Sequence, residues 1–411
     1  MGLLVGFVFN SLRGALALIP WAVLHLPLKK IAAAIALVSA SVYLVLSGVS
    51  VATERAFIMA AVMLGAVLVD RRAISLRAVA LAAMIVLILR PESLLSPGFQ
   101  MSFAATTALV AAFAALRDWR LAHAETIGRL PRWTTGLASV VLSSFVAGLA
   151  TAPIAAAHFN QIARFGLLAN LISVPVMGLI VMPGAVVATC LAPLGLADMG
   201  LWGMRLGISW ILTVADQIAA WEGARIMTPA PRPLILPLLY LGALMTTFCI
   251  RHLRWAGLAM QVVALSLWMG QGRPPILVSQ SGKLIGILGP EGRVLSRARG
   301  EGFPARAWLD ADGDPASQAR TAMRPRPIGG SVRHLPKRTG HEDVREACRN
   351  AVVVVTSARI PMADMPGCLV LDSTRLAMLG AVALYPGRDG PRVIGAARIA
   401  GDRLWTARDG Q

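Results

Sequence analysis

The chain has 411 residues, 56% of them hydrophobic and 15% charged, where a soluble globular chain carries about 25% charged residues. Residues 1–270 hold 18 Lys/Arg and 8 Asp/Glu, and residues 271–411 hold 21 and 13; this excludes a uniformly soluble protein and reads as a membrane domain followed by an aqueous tail. The net charge of +18 does not exclude nucleic-acid binding, although Lys and Arg also gather in the cytoplasmic loops of membrane proteins.

A spanning helix needs about 20 apolar residues. Ten runs are candidates: 3–27, 31–49, 52–70, 74–90, 101–116, 134–157, 165–190, 200–221, 233–250 and 255–271. The runs at 74–90 and 101–116 are short, and 200–221 carries Arg205 and Asp216, so it either faces other helices or lies in the interface. Backbone groups in lipid must pair within their own segment, which makes helices of such runs. The expected fold is an all-α polytopic membrane helix bundle of eight to ten helices over residues 1–271, followed by a small soluble α/β or mainly-β domain over 272–411.

Lys29 and Lys30 follow the first run, Arg71, Arg72 and Arg77 the third, and Arg117, Arg120, Arg129 and Arg132 the fifth. Placing these loops in the cytoplasm puts the N-terminus on the outer face. If 200–221 spans, the tail is periplasmic; if it does not, the tail changes side. A first helix that starts outside implies further helices upstream of Met1. No basic leader or small-residue cleavage site is present, so no cleavable signal peptide is expected.

The tail carries short β-like runs at Ile276–Ser279, Leu284–Leu288, Ala351–Thr356, Cys368–Leu371, Ala381–Leu384 and Arg392–Ile394, separated by Gly, Pro and Asp. Residues 311–342 are rich in Arg, Pro and Gly without periodicity and read as a flexible segment. Cys190 and Cys249 lie in apolar stretches as packing residues. Cys348 and Cys368 form a disulfide if the tail lies in an oxidising compartment.

Polar and helix-breaking residues inside the membrane part are the informative ones, because a polar side chain there must face protein or water. Ser50-Val-Ala-Thr-Glu-Arg-Ala56 opens the third run; Arg55 either snorkels to headgroups or faces an aqueous path where it attracts phosphate. In Arg90-Pro-Glu-Ser-Leu-Leu-Ser-Pro-Gly-Phe-Gln-Met-Ser-Phe103, the breakers Pro97 and Gly98 precede Gln100 and Ser102, which enter the next apolar run. This is a plain connecting loop or irregular backbone lining a cavity. Pro153 kinks or ends the sixth run, and His158, Asn160, Gln161 and Arg164 form a polar loop beyond it. Asn170 and Pro175 sit in a broken helix of the kind that lines transporter paths, or that packs through small residues. No Walker A sequence, HExxH, GxSxG or dinucleotide fingerprint occurs. No catalytic residue, metal or cofactor is expected.

In this order, the stretches Gly2–Val5, Thr53-Glu-Arg-Ala56, Leu95–Ala104, Thr151-Ala-Pro153, His158-Phe-Asn160 and Asn170–Pro175 resemble the membrane domain of ComEC-type competence proteins. The resemblance covers about residues 1–270, and the tail around Ala351–Leu371 is similar to the short C-terminal region of some members. It implies an inner-membrane channel component for single-stranded DNA in natural transformation, whole or truncated. Arg55, Gln100, Ser102, Asn160, Arg164 and Asn170 would then line the path or pack beside it. The family's OB-like N-terminal part is missing here, and the His-x-His-x-Asp-His metal set of its nuclease-like C-terminal domain is absent, so nuclease activity is not expected. The implied partners are single-stranded DNA, the bilayer, the missing N-terminal part on another chain, a cytoplasmic ATP-driven motor and a second copy of the chain. A small-molecule or lipid-linked permease and a non-functional remnant are the alternatives that the residues themselves leave open.

Overall fold

The computed structural model describes residues 1–123, 132–325, 332–335, 340–360, 367–387 and 390–401. It divides into two compact units, Met1–His158 with Ile162–Ile226, and Phe159–Gln161 with Met227–Gln411.

The first unit is helical. It contains α1 (Gly2–Ala17), α2 (Pro20–His25), α3 (Leu28–Leu46), α4 (Val51–Leu68), α5 (Leu76–Leu89), α6 (Pro97–Ala122) and α7 (Arg132–Phe159). A short strand β1 (Gln161–Ala163) leads to α8 (Gly166–Val176), a π-helical turn at Met177–Val181, α9 (Met182–Leu191), α10 (Ala197–Ala219) and strand β2 (Arg225–Met227). Residues 28–46, 51–68, 97–122, 134–159 and 166–194 are each long and apolar enough to cross a bilayer, so the protein is a multi-pass membrane protein. The expected first span is two helices, because the chain breaks at Leu18–Ile19 before Pro20. The expected short span at 101–116 is a 26-residue helix, because Pro97 starts it rather than stopping it.

Small side chains let these helices approach. Ala33, Ala36 and Ala40 of α3 are fully buried against Val5 of α1 and Ala60 and Leu64 of α4. Ile58, Val79, Ala82, Val86, Phe99 and Phe103 join α4, α5 and α6. Gly200 and Gly207 of α10 cross Gly184, Ala188 and Val181 so closely that the run is antiparallel with backbone in contact. Pro153 lies inside α7 without ending it, and Pro175 precedes the π-helical turn. Its missing N–H disrupts the regular ladder at that point. Cys190, expected to pack, is exposed, while Cys249 is partly buried.

The second unit opens with a helical hairpin, α11 (Ile235–Phe248) and α12 (His252–Met269), crossing at Gly242 and Gly257. The hairpin is tied to the tail through the strap 228–232. Trp268 Nε1 donates to Pro229 O at 2.8 Å, Gln271 bonds Ala230 and Arg232, and Ala230 N donates to Ala311 O at 3.0 Å.

The tail contains β3 (Ile276–Val278), β4 (Ile285–Gly289), β5 (Gly292–Leu295), α13 (Gly302–Asp312), α14 (Gln318–Ala322), β6 (Val332–Leu335), α15 (His341–Arg349) and β7 (Val353–Thr356). It continues with β8 (Leu369–Leu371), α16 (Ser373–Leu379), β9 (Val382–Tyr385), β10 (Arg392–Gly395) and α17 (Ala396–Ala400). An antiparallel sheet ordered β10-β9-β3-β4-β5 faces a parallel sheet ordered β6-β7-β8. Val278, Ile285, Val382 and Leu384 of the first meet Val353, Val355 and Leu371 of the second. Helix α13 covers the other side of the first sheet through Ala305 and Leu309 on Leu284 and Leu295. Helix α15 covers the second through Val344 on Val354 and Val370. The layers are therefore helix, sheet, sheet, helix, and β7 is valine-rich because both its faces are covered. All six β-like runs are strands; β5 and β6 are additional.

Within the stretch expected to be flexible, α14 and β6 are regular, while 326–331 and 336–339 lie outside the described residues. What orders its first part is an ion pair. Arg324 binds both oxygens of Asp314, at 2.5 and 3.2 Å, and donates to Arg293 O. Burial pushes the Asp314 carboxyl up, but the Arg324 hydrogen bond, the Ala316 N–H and the charges of Arg324 and Arg273 together hold it below the ordinary carboxylate range. A lowered folded-state value means that this contribution is present at neutral pH and lost as pH falls through the folded value. Protease cleavage within 311–325 is expected to rise as pH is lowered below about 4 in the wild type. Asp314→Asn should be cleaved readily already at neutral pH, and equal, pH-independent cleavage of both proteins would contradict the assignment.

Candidate functional site

The polar residues of the membrane part gather where four helix ends meet: the start of α4, the end of α5, the start of α6 and the end of α7. Ser50 caps α4, its hydroxyl accepting from Thr53 N at 3.3 Å. Ser96 caps α6, accepting from Phe99 N at 3.2 Å. Between α5 and α6 the chain makes one tight helical turn, Pro91–Leu95. Pro97 and Gly98 thus occupy the first turn of α6.

That glycine matters to the site. The Arg55 guanidinium lies over it, and a Cβ at position 98 would stand 3.1 Å from Nη1 and 3.2 Å from Nη2. Arg55 lines a recess with Glu54, Ile58, Val86, Arg90 and Ser93. Glu54 is engaged by Arg90, whose Nε donates at 2.7 Å. Arg55 makes no ion pair among the described residues. Two guanidiniums and one carboxylate leave the recess with an excess positive charge.

Gln100 extends the group to α7. Its Nε2 donates to Leu94 O at 3.0 Å, which leaves its Oε1 to accept from His158 Nε2 at 2.9 Å. The His158 tautomer with the proton on Nε2 follows from that arrangement. Ser102, one half-turn further, is partly buried, and its carbonyl accepts from Thr106 Oγ1 at 2.8 Å.

The other candidates stand elsewhere. Arg164 is exposed; its backbone N–H donates to Ala224 O at 2.9 Å, and its guanidinium lies over the Phe165 ring at 5.6 Å. Phe165 meets Trp221 edge-on at 5.1 Å. Asn170 is exposed on α8. Asn160 belongs to the second unit, with φ 54°, a left-handed conformation that Asn tolerates. Its carbonyl accepts from Thr228 N at 2.9 Å. Arg55, Gly98 and Gln100 are thus brought together, and Arg164 and Asn170 share no hydrogen bond or ion pair with them among the described residues. Sequence reading missed Arg90 and His158 as members. The carboxylate–guanidinium complementarity of Glu54 and Arg90 was the one signal available.

In the tail, Cys348 of α15 and Cys368 beside β8 are joined by a disulfide with Cα atoms 5.6 Å apart.

The membrane group offers a guanidinium with no ion pair among the described residues, an oriented amide and an imidazole, a set that suits holding an anion. A family model described as "Competence protein" matches residues 1–253. ComE operon protein 3 of Bacillus subtilis (strain 168) is 29% identical over 196 residues. That match takes in 47% of this chain and 24% of the relative, so it spans about a quarter of that protein's length. No solved structure matches.

Proposed function

The chain belongs to the Competence protein family, and from that premise we propose that it forms part of the path by which single-stranded DNA crosses the bacterial inner membrane. The observation that carries the reading is the Arg55 recess, where an arginine without a carboxylate partner among the described residues is seated on Gly98 inside the family-matched segment. Phosphate is the anion that such a guanidinium suits.

The basic loops give the recess a side. Lys29, Lys30, Arg71, Arg72, Arg117 and Arg120 lie at the opposite helix ends, which are the cytoplasmic ends. The Arg55 group therefore belongs at the periplasmic mouth, where incoming DNA is met. The α10 helix runs antiparallel along α8–α9, which favours a spanning α10 and hence a periplasmic tail. The Cys348–Cys368 bridge supports that placement, because disulfides persist in the oxidising periplasm. The protein acts as a conduit, not an enzyme; the driving force comes from a partner.

The test is uptake of fluorescently labelled DNA in a naturally transformable host. A strain lacking the gene should import none, and normal import there would overturn the proposal. Arg55→Ala, at unchanged protein level in the membrane, is expected to lower uptake roughly tenfold, the loss of one charge-assisted hydrogen bond. Arg55→Lys should recover part of it.

A further inference from the structure

We propose that one face of α10 is the wall of a water-filled path at membrane depth. Residues 166–194 form an apolar stretch long enough to span. Helix α10 packs along that stretch: Gly200 meets Gly184 and Ala188, and Gly207 meets Val181 and Ile180. It also contacts α8 beyond them. Helix α10 therefore lies at the same depth as a spanning segment, not on the membrane surface.

At about 100° per residue, the buried residues Gly200, Gly207 and Val214 share one face. Asp198, Arg205, Ser209 and Asp216 fall on the opposite face, within an arc of about 40°, and all four are exposed. Apolar residues flank this stripe on both sides: Leu201, Ile208 and Leu212 on one, Met199, Leu206 and Trp210 on the other, all exposed. A helix lying in the headgroups has a broad charged face; here the charged residues are confined to this narrow arc, and the second flank adds only the uncharged Thr213 and Gln217. Among the described residues Asp198, Arg205 and Asp216 make no ion pair. Ser209 Oγ donates to Leu206 O on its own helix at 2.9 Å.

Charged groups are costly against lipid tails and face a bundle interior or water instead. Snorkelling can serve Asp198 and Asp216, which lie in the first and last turns of α10, but it does not account for Arg205 and Ser209 midway along the helix on the same line. A second copy is a poor occupant. Two copies inserted in the same orientation would be related by an axis along the membrane normal, which sets Arg205 opposite Arg205. Water, with the small hydrophilic solutes it carries, fits a wall bearing both signs of charge. The inference does not depend on DNA being the cargo.

The experiment is cysteine labelling of the full chain in sealed membranes, with Cys190 and Cys249 replaced by alanine. The thiolate, which forms in water and not in lipid, attacks a membrane-impermeant charged thiol reagent and displaces its leaving group. Ser209→Cys and Asp216→Cys, both on the stripe, should label on the order of tenfold faster than Leu206→Cys and Ile208→Cys on its flanks. No labelling at either position would place the stripe against lipid or protein and overturn the proposal. Equal labelling around the whole exposed circumference would make α10 a surface helix and overturn it too. The labelling is read without DNA, so its failure and a failure of the uptake test are distinguishable.

Discussion

Replacing Arg293 by methionine is expected to unfold the C-terminal sandwich. Arg293 is fully buried, and its guanidinium makes four hydrogen bonds: two to Asp312, at 2.5 and 3.2 Å, and one each to Gly286 O and Pro274 O at 3.1 Å. These tie the last turn of α13, strand β4 and the entry to the tail at one point. Methionine fills much of the volume but leaves the Asp312 carboxylate, 4% exposed as a residue, without its counter-charge. Breaking a buried pair in this way costs about 3–5 kcal/mol, a large share of the 5–15 kcal/mol or so that holds a domain together. Limited proteolysis of the membrane-embedded protein reads the outcome, with the tail degraded while the helices remain. Arg293→Met combined with Asp312→Leu should recover much of the resistance, since an apolar replacement removes the orphaned charge. A single variant as resistant as wild type would refute the account.

Gly200→Val is expected to separate α10 from α9 and remove the folded protein from the membrane. A Cβ at position 200 would collide with Ala188 N and stand 2.5 Å from Gly184 O and 2.7 Å from Ala188 Cα. All three are backbone atoms of the neighbouring helix, so no side-chain rotation relieves the clash. Overpacking of a well-packed core costs about 1–3 kcal/mol; here the clash is with backbone, so the helices must move apart and lose the packing that associates them. Gly203→Ala on the same helix is the control. Nothing lies within 4 Å of a Cβ there, and alanine favours the helix by about 1 kcal/mol. Thermal unfolding in detergent should therefore show Gly200→Val strongly destabilised and Gly203→Ala near or above wild type. Similar stabilities for the two would contradict the crossing.

Much of the helical architecture is legible from residues alone. Each of the ten apolar runs contains helix, because hydrocarbon leaves the backbone no partner outside its own segment. The tail strands that pair with near neighbours are also legible, since Gly, Pro and Asp mark their ends. What escaped were β5 and β6. The first is four residues carrying Arg293, whose charge hides a strand until Asp312, nineteen positions away, is seen to neutralise it. The second, Val332–Leu335, is a strand because it lies parallel to Val353–Thr356, a pairing with no local signal. The turn residues at Pro97 and Gly98 were legible as a break, but not as the first turn of α6.

For the site, composition alone singled out Arg55, Gln100 and Ser102 as polar groups in an apolar setting, because lipid makes such residues costly wherever they occur. It did not join them. The Glu54–Arg90 and Gln100–His158 contacts span 36 and 58 residues, distances at which sequence carries no geometric information. The same division holds for α10. Its period places Asp198, Arg205, Ser209 and Asp216 on one line in any helix of this sequence. Only the burial of Gly200 against α9 and of Gly207 against the π-helical turn decides that this line faces outward, because which side of a helix is covered depends on the neighbour and not on the helix.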